Sequence, residues 1–371
     1  MIAGPILAAV AAVIWVGILL APWRAWSTAE RLDPAFGAGD DPSGIDLSDV
    51  TALVPARDEA TVIGTTIAGL RAQGAGLRIL VIDDQSSDGT AVSARAAGAE
   101  VMAGAPLAEG WVGKLWALEQ GRRSVGTRRT LLVDADIELL PGVVAALIAK
   151  DRALVSLMAV LEMRTGWERL LIPAFVYFFK LLYPFRISNS ASRLVAAAAG
   201  GCVLVETAML ERIGGFGALR GAIIDDCTLA RKVKDAGGRT WVGLTHSAIS
   251  LRRMPTLGTI WHMVARSAFA QLRYSTALLV VCVVVLVIAF WVPVAGVVAG
   301  GGATWWLSVT ALVAMVATYV PVLKFYGRSP LWALALPVAG TLYLLMTVSS
   351  AVRAWRGVRS SWKGREYRRA S

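Results

Sequence analysis

Three stretches of this chain carry no charged side chain: residues 1–23, 276–323 and 329–352. A membrane-spanning helix needs about 20 apolar residues. The first stretch is long enough for one span, the second for two broken at Gly300-Gly301-Gly302, and the third for one more. Between them the pattern changes to short apolar runs set among helix-length polar segments. Thr51–Val54, Ile79–Ile82, a short piece near Val101, Leu131–Val133 and Cys202–Val205 read as buried strands. Segments from about Asp58 to Gln73 and from about Lys114 to Arg123 read as helices, and Ser87-Asp88 is placed to cap another. Strands alternating with helices of this size predict an α/β fold with a doubly wound sheet. Ligands of such sheets lie at the carboxyl ends of the strands, near a switch in strand order.

Two further segments are apolar but not span-like. Residues 170–185 are short and contain Pro173 and Lys180, which suits a helix lying at a bilayer interface. Residues 257–272 put Leu257, Ile260, Trp261, Val264, Ala268 and Leu272 on one helical stripe, facing either a core or that interface.

Composition agrees with membrane segments: mean hydropathy is +0.60 and 56% of residues are hydrophobic, above the usual soluble range. Arg24 and Arg31 follow the first apolar stretch rather than precede it. That favours a retained anchor over a cleaved signal peptide, and puts the following residues in the cytoplasm. Three later spans would then leave the basic tail outside, against the same rule. Pro321, Pro330 and Pro337 make the last two segments candidates for a re-entrant or interfacial piece. Net charge is +11. Much of it lies between Arg353 and Arg369, with Trp355, Trp362 and Tyr367 interleaved. Directly after a span, such a tail suits anionic lipid headgroups better than nucleic acid. Cys202, Cys227 and Cys282 show neither pairing nor metal spacing and read as reduced, buried thiols. The expected organisation is an N-terminal transmembrane helix (1–23), a linker (24–47), an α/β domain (48–255), an interfacial helix (256–275), C-terminal transmembrane segments (276–352) and a basic tail (353–371).

The candidate chemistry lies in three aspartate pairs: Asp83-Asp84, Asp134 with Asp136, and Asp225-Asp226. Each follows an apolar run, so each should sit at a strand tip, where lone carboxylates are costly to desolvate and need counter-charge. Asp134-Ala135-Asp136 alternates, so on an extended chain both carboxylates project to one side. That suits a hard divalent cation, which takes one or two carboxylates and completes its shell with water and phosphate.

Val54-Pro-Ala-Arg-Asp-Glu-Ala60, Val81-Ile-Asp-Asp-Gln-Ser-Ser-Asp-Gly-Thr90, Leu132-Val-Asp-Ala-Asp136 and Ile213-Gly-Gly-Phe216 through Ile224-Asp-Asp-Cys-Thr-Leu229 stand in the order of the motifs of family 2 glycosyltransferases. The chain resembles that family over roughly residues 48–255. Gly110-Trp-Val-Gly-Lys-Leu-Trp-Ala117 and Val264–Ser275 make it similar to the bacterial hopene-associated members; the first segment is also similar to membrane glycosyltransferases acting on carotenoid acids. The resemblance implies a GT-A fold, a Rossmann-like nucleotide-sugar-binding domain here flanked by transmembrane helices. It implies a nucleotide-sugar donor, with a UDP-sugar favoured, a membrane lipid acceptor, and Mg²⁺ or Mn²⁺ as cofactor. Pro55, Arg57 and Glu59 would line the nucleotide pocket, although many relatives carry an aromatic residue where Arg57 stands. Asp84 would meet the base edge, and Lys114 the donor. Asp134 and Asp136 would hold sugar and metal-diphosphate, with Asp136 the direct ligand. Gly200 and Gly201 would let the backbone approach the sugar, and His246 would join the metal. Asp226 would be the catalytic base beside Asp225, where relatives usually carry Glu. Two alternatives stay open: a processive polysaccharide synthase, which the short Gln271-Leu272-Arg273-Tyr274 motif disfavours, and a non-catalytic membrane protein with a degenerate nucleotide-binding domain.

Overall fold

The computed structural model describes residues 3–34, 44–362 and 365–368. Residues 35–43 of the linker, and Lys363, Gly364 and Arg369 of the basic tail, lie outside the described residues. The chain divides into two compact units. One is built from Glu30–Glu162 and Ile187–Arg253 with Ser361–Ser371, the other from Met1–Ala29, Met163–Arg186 and Met254–Ser360.

The first unit is organised by an eight-stranded sheet. Its strands are β1 (Val50–Ala56), β2 (Arg78–Asp83), β3 (Glu100–Ala103), β4 (Arg129–Val133), β5 (Ile137–Leu139), β6 (Leu154–Val160), β7 (Cys202–Glu206) and β8 (Thr240–Ser250). Their order is β3-β2-β1-β4-β7-β6-β8-β5. β1 runs parallel to both β2 and β4 and is buried at all seven positions. A central parallel strand covered on both faces has to be apolar throughout, and this one carries only Thr51 and Pro55 as exceptions. The strands still alternate in what they touch. Ala52, Val54, Ile79, Val81, Leu131 and Val133 join one core with Ile63, Ile67, Leu70 and Val144. Leu53, Leu80, Ile82 and Leu132 join the other with Leu115, Leu118, Leu229 and Val233. The sheet is thus the middle layer between helices on either side.

The chain runs outward from β1 through β2 to β3, then returns to place β4 on the other side of β1. The crevice at a switch point opens there, between the tips of β1 and β4. β7 is antiparallel to β4, with Val133 opposite Cys202. That register brings Gly200 and Gly201, which precede β7, to the tip of β4: Asp134 N–H donates to Gly201 O (3.1 Å).

The helix expected from Asp58 begins later, as Ile63–Arg71. Asp58 has φ +50°, and residues 58–60 donate backbone N–H groups to Ser86, Thr90 and Asp88 side chains instead. Asp88 does not cap the Thr90–Ala96 helix in the ordinary sense. The N-cap is Gly89 in the left-handed region, while Asp88 Oδ1 accepts from Thr90 N–H (3.1 Å).

The second unit is helical. Among the described residues, four of its helices are long and apolar enough to cross a membrane: Ala3–Leu20, Thr276–Ala299, Ala303–Phe325 and Pro330–Trp355. The break between the middle pair falls at Gly300-Gly301-Gly302, where Gly302 has φ +54°. Val280, Val281, Val298, Val313 and Trp306 stay exposed on these helices, as lipid-facing positions would. Small residues mark the contacts: Gly296 lies against Ser308, and Ala8, Ala11 and Ala12 are buried on the first helix. Trp15 Nε1 donates to Ala289 O (2.7 Å). Residues 163–186 fold with this unit rather than with the sheet. Their helix, Gly166–Leu182, keeps Pro173 inside and opens with a capping box between Thr165 and Glu168. It is pinned by Tyr177 to Thr318 (2.8 Å) and by Tyr343 to Leu171 O (2.8 Å). Lys180 is buried, donating to Ser27 O beside the Phe185 ring. The stripe expected over 257–272 divides into Leu257–Ala265 and Ala268–Gln271.

Candidate active site

The tips of β1, β2 and β4 and the start of the Asp225–Asp235 helix assemble most of the predicted residues. At β1, Arg57 reaches across to the backbone of the β2 tip and donates to Asp84 O (2.6 Å). Asp84 itself is fully buried, its N–H held by Ala56 O (2.8 Å). Asp83 turns back on its own loop and accepts from Ser86 N–H (3.3 Å). The β1–β2 pairing, with Ala56 opposite Asp83, sets this arrangement.

Asp134 and Asp136 follow β4, each in contact with a cation. Lys114, at the start of the Gly113–Arg122 helix, places Nζ 2.6 Å from Asp134 Oδ1 and 3.8 Å from Asp225 Oδ2. Burial alone would lower the lysine's pKa, but Asp134, Asp225 and Asp226 outweigh it and raise the pKa above the usual value. It is therefore a permanent ammonium at any working pH. Asp136 is buried, and Arg252 Nε lies 3.0 Å from its Oδ2. The same guanidinium puts Nη2 3.0 Å from Glu59 Oε1.

Asp226 is held differently. Its Oδ2 accepts from Gly200 N–H (3.0 Å) and its Oδ1 from Cys227 N–H (2.7 Å). Burial, then the neighbouring Asp225 charge, pushes its pKa up to about 6, against those hydrogen bonds and Lys114, which lower it. A carboxylate titrating there can accept a proton near neutrality. Gly200 packs directly against both side chains: a Cβ on it would lie in van der Waals contact with Asp226 Oδ2 (3.4 Å) and Lys114 Nζ (3.5 Å). Beneath these polar tips, Leu115, Leu132, Val203, Phe216, Leu219 and Leu229 line a small cavity that reaches Lys114, Asp225 and Asp226.

The chain is similar to known proteins over this same region. The family model "Glycosyltransferase like family 2" matches residues 48–273. The chain belongs to glycosyltransferase family 2. This family 2 glycosyltransferase is 38% identical, over 92 residues, to the 4,4'-diaponeurosporenoate glycosyltransferase of Staphylococcus aureus. That match spans 24% of each chain, so this chain covers about a quarter of the length of the curated relatives it matches. Among solved structures it is similar to the mannosyltransferase PcManGT of Pyrobaculum calidifontis, in complex with GDP-Man and Mn²⁺. That likeness has a TM-score of 0.53 at 17% identity, over 94% of this chain and 99% of the other. It carries the GT-A fold over to this glycosyltransferase.

His246 is placed apart from the expected metal ligands. Its Nδ1 lies 3.2 Å from Asp33 Oδ2, and its backbone N–H donates to Asp33 Oδ1 (2.6 Å). Leu251, not His246, is the residue of this segment that bonds the backbone of Asp136, through its N–H to Asp136 O (2.7 Å). His246 precedes it by five residues, roughly 16 Å along an extended strand. The structure thus pairs His246 with Asp33, and the side chain of this segment that meets Asp136 is Arg252. Arg252 was not foreseen, because an Arg-Arg pair after an alternating strand reads equally as a solvated terminus. Gly215 and Phe216, within the Ile213–Phe216 motif, join the site through a contact that the motif alone does not specify. Phe216 N–H donates to Glu119 Oε2 (3.0 Å), and Arg122 binds the same carboxylate, which ties the Lys114 helix to the Gly215–Leu219 turn.

Proposed function

We propose that this glycosyltransferase moves one sugar from a nucleoside-diphosphate-sugar to the hydroxyl or carboxyl of a membrane lipid, with inversion at the anomeric carbon. The observation that carries the reading is the Asp226 carboxylate, held by two backbone N–H groups, its pKa raised to about 6. It takes the proton from the acceptor oxygen as that oxygen bonds the anomeric carbon. The bond from that carbon to the diphosphate breaks on the opposite face, and the nucleoside diphosphate leaves. Lys114 offsets charge on the departing diphosphate, and Gly200 and Gly201 let the backbone lie against the sugar. Pro55, Arg57 and Glu59 line the nucleotide side; Asp84, fully buried in this structure, would accept from a base-edge N–H once its cover shifts, with uracil favoured and guanine offering such groups too.

Asp136 and Asp134 are the residues that would hold a divalent cation. Among the described residues no cluster of three or more His, Cys, Asp or Glu could hold a metal. Two carboxylates with oxygens from a diphosphate and water form the donor set that Mg²⁺ or Mn²⁺ takes. When bound, the ion would stabilise negative charge on the leaving diphosphate.

The relative named for 4,4'-diaponeurosporenoate supports a polyisoprenoid or hopanoid-like acceptor, and the four apolar helices support delivery from a bilayer, with the sheet unit on the cytoplasmic face of a bacterial inner membrane. Radiolabelled UDP- and GDP-sugars supplied to the full chain in lipid nanodiscs, followed by mass spectrometry of the extract, test the whole reading. A lipid product heavier by one sugar is expected, and a ladder of sugars would replace it with polymer synthesis. No transfer from any donor, with or without metal, would overturn it.

A further inference from the structure

Arg252 sits where the proposed donor must arrive, and its surroundings suggest a use. The C-terminal end of β8 is fixed against the β4 tip by Leu251 N–H to Asp136 O (2.7 Å) and by the pairing of Ser250 with Ile137. The next side chain is thereby directed onto Asp136. It makes two contacts of 3.0 Å, one to Asp136 and one to Glu59. The two carboxylate side chains are 11% and 12% exposed, whereas the guanidinium side chain is 43% exposed. A cation thus caps two buried anions from the solvent side. Its neighbour Arg253 turns away and pairs with Glu162 (3.0 Å).

Resting on the nucleotide-sugar reading above, we propose that Arg252 is a resident counter-cation that competes with free divalent metal for Asp136. Asp136 Oδ2 cannot serve Arg252 and a metal ion fully at once, because both draw on the same negative charge. A free aqua-ion must therefore displace Arg252 with no compensation for the guanidinium. A metal–diphosphate offers that compensation: Arg252, still anchored by Glu59, can turn its forked N–H groups to phosphate oxygens. Arg252 so couples metal binding to nucleotide binding, and restricts the metal site to metal that arrives with the donor.

Mn²⁺ binding followed by electron paramagnetic resonance tests this in the full chain, with and without UDP or GDP. In wild type, Mn²⁺ should bind weakly alone and much more tightly with the nucleoside diphosphate. Arg252→Gln should raise the affinity for Mn²⁺ alone about tenfold, and weaken nucleotide affinity in the presence of Mn²⁺ by about as much, the scale of one charge-assisted hydrogen bond. Arg252→Lys should restore weak binding of Mn²⁺ alone. Arg253→Gln, whose parent residue faces Glu162, should match wild type. Unchanged or weaker binding of Mn²⁺ alone in Arg252→Gln, with nucleotide-dependent binding intact in wild type, would overturn the competition and leave the transferase reading standing. No binding of Mn²⁺ or nucleotide by any of these proteins would overturn both.

Discussion

The two acidic pairs that flank Lys114 are only residues apart in space yet are treated in opposite ways. Asp134 and Asp136 each face a cation, Lys114 at 2.6 Å and Arg252 at 3.0 Å. Asp226 faces backbone N–H groups and another carboxylate, and its pKa climbs to about 6. A carboxylate paired with a cation is placed for binding, whereas burial beside a like charge readies Asp226 to take up a proton. Two acidic pairs thus meet different surroundings, which matches the two roles proposed for them.

Changes that strike one pair alone separate these purposes. The largest effect is expected for Asp226→Asn, which keeps the shape and removes the proposed base. The rate of sugar transfer should fall by about 10²–10⁴-fold, measured as single-turnover product formation. Next is Lys114→Gln, which leaves Asp134 and Asp225 without their shared ammonium. A drop in kcat/KM of about 10–100-fold is expected from one lost charge-assisted contact, through both donor affinity and turnover. Smaller is the effect of pH. Below about 6 Asp226 is protonated and cannot accept the acceptor's proton, so log kcat/KM should rise with pH and level off above that value. Asp225→Asn removes one cause of the raised pKa and should move this limb to lower pH; a limb that stays in place would give the titration to another group. Outside either pair, Thr165→Ala removes the cap of the Gly166–Leu182 helix. It should cost about 1 kcal/mol of stability, read as a lowered melting midpoint with little change in nucleotide affinity.

Much of this arrangement is legible in the sequence, and the parts that are not share a cause. Apolar runs ending in aspartate mark β2 and β4, and the apolar run up to Pro55 marks β1, because a doubly covered parallel strand must be apolar and its tip must not be. The three uncharged stretches mark the four long apolar helices for a similar reason. What local pattern cannot convey is register between distant strands. The antiparallel pairing of β7 with β4 brings Gly201 to Asp134, and the attachment of β8 to the β4 tip puts Arg252 on Asp136. The late start of the Ile63–Arg71 helix is also a tertiary effect: Asp58–Ala60 look helical alone, but Ser86, Asp88 and Thr90 claim their N–H groups. Residues 163–186 interrupt the α/β unit to pack among the apolar helices, a partition that hydropathy alone did not separate from a surface helix.

The division of labour between the two pairs is tested most directly by nucleotide affinity in two variants measured side by side. Asp136→Asn and Asp226→Asn would each be titrated with UDP and GDP by calorimetry in the presence of Mn²⁺. Asp226→Asn should bind the nucleoside diphosphate as wild type does, while Asp136→Asn should lose metal-dependent binding. Equal loss in both, or loss confined to Asp226→Asn, would contradict the separation of binding from proton transfer.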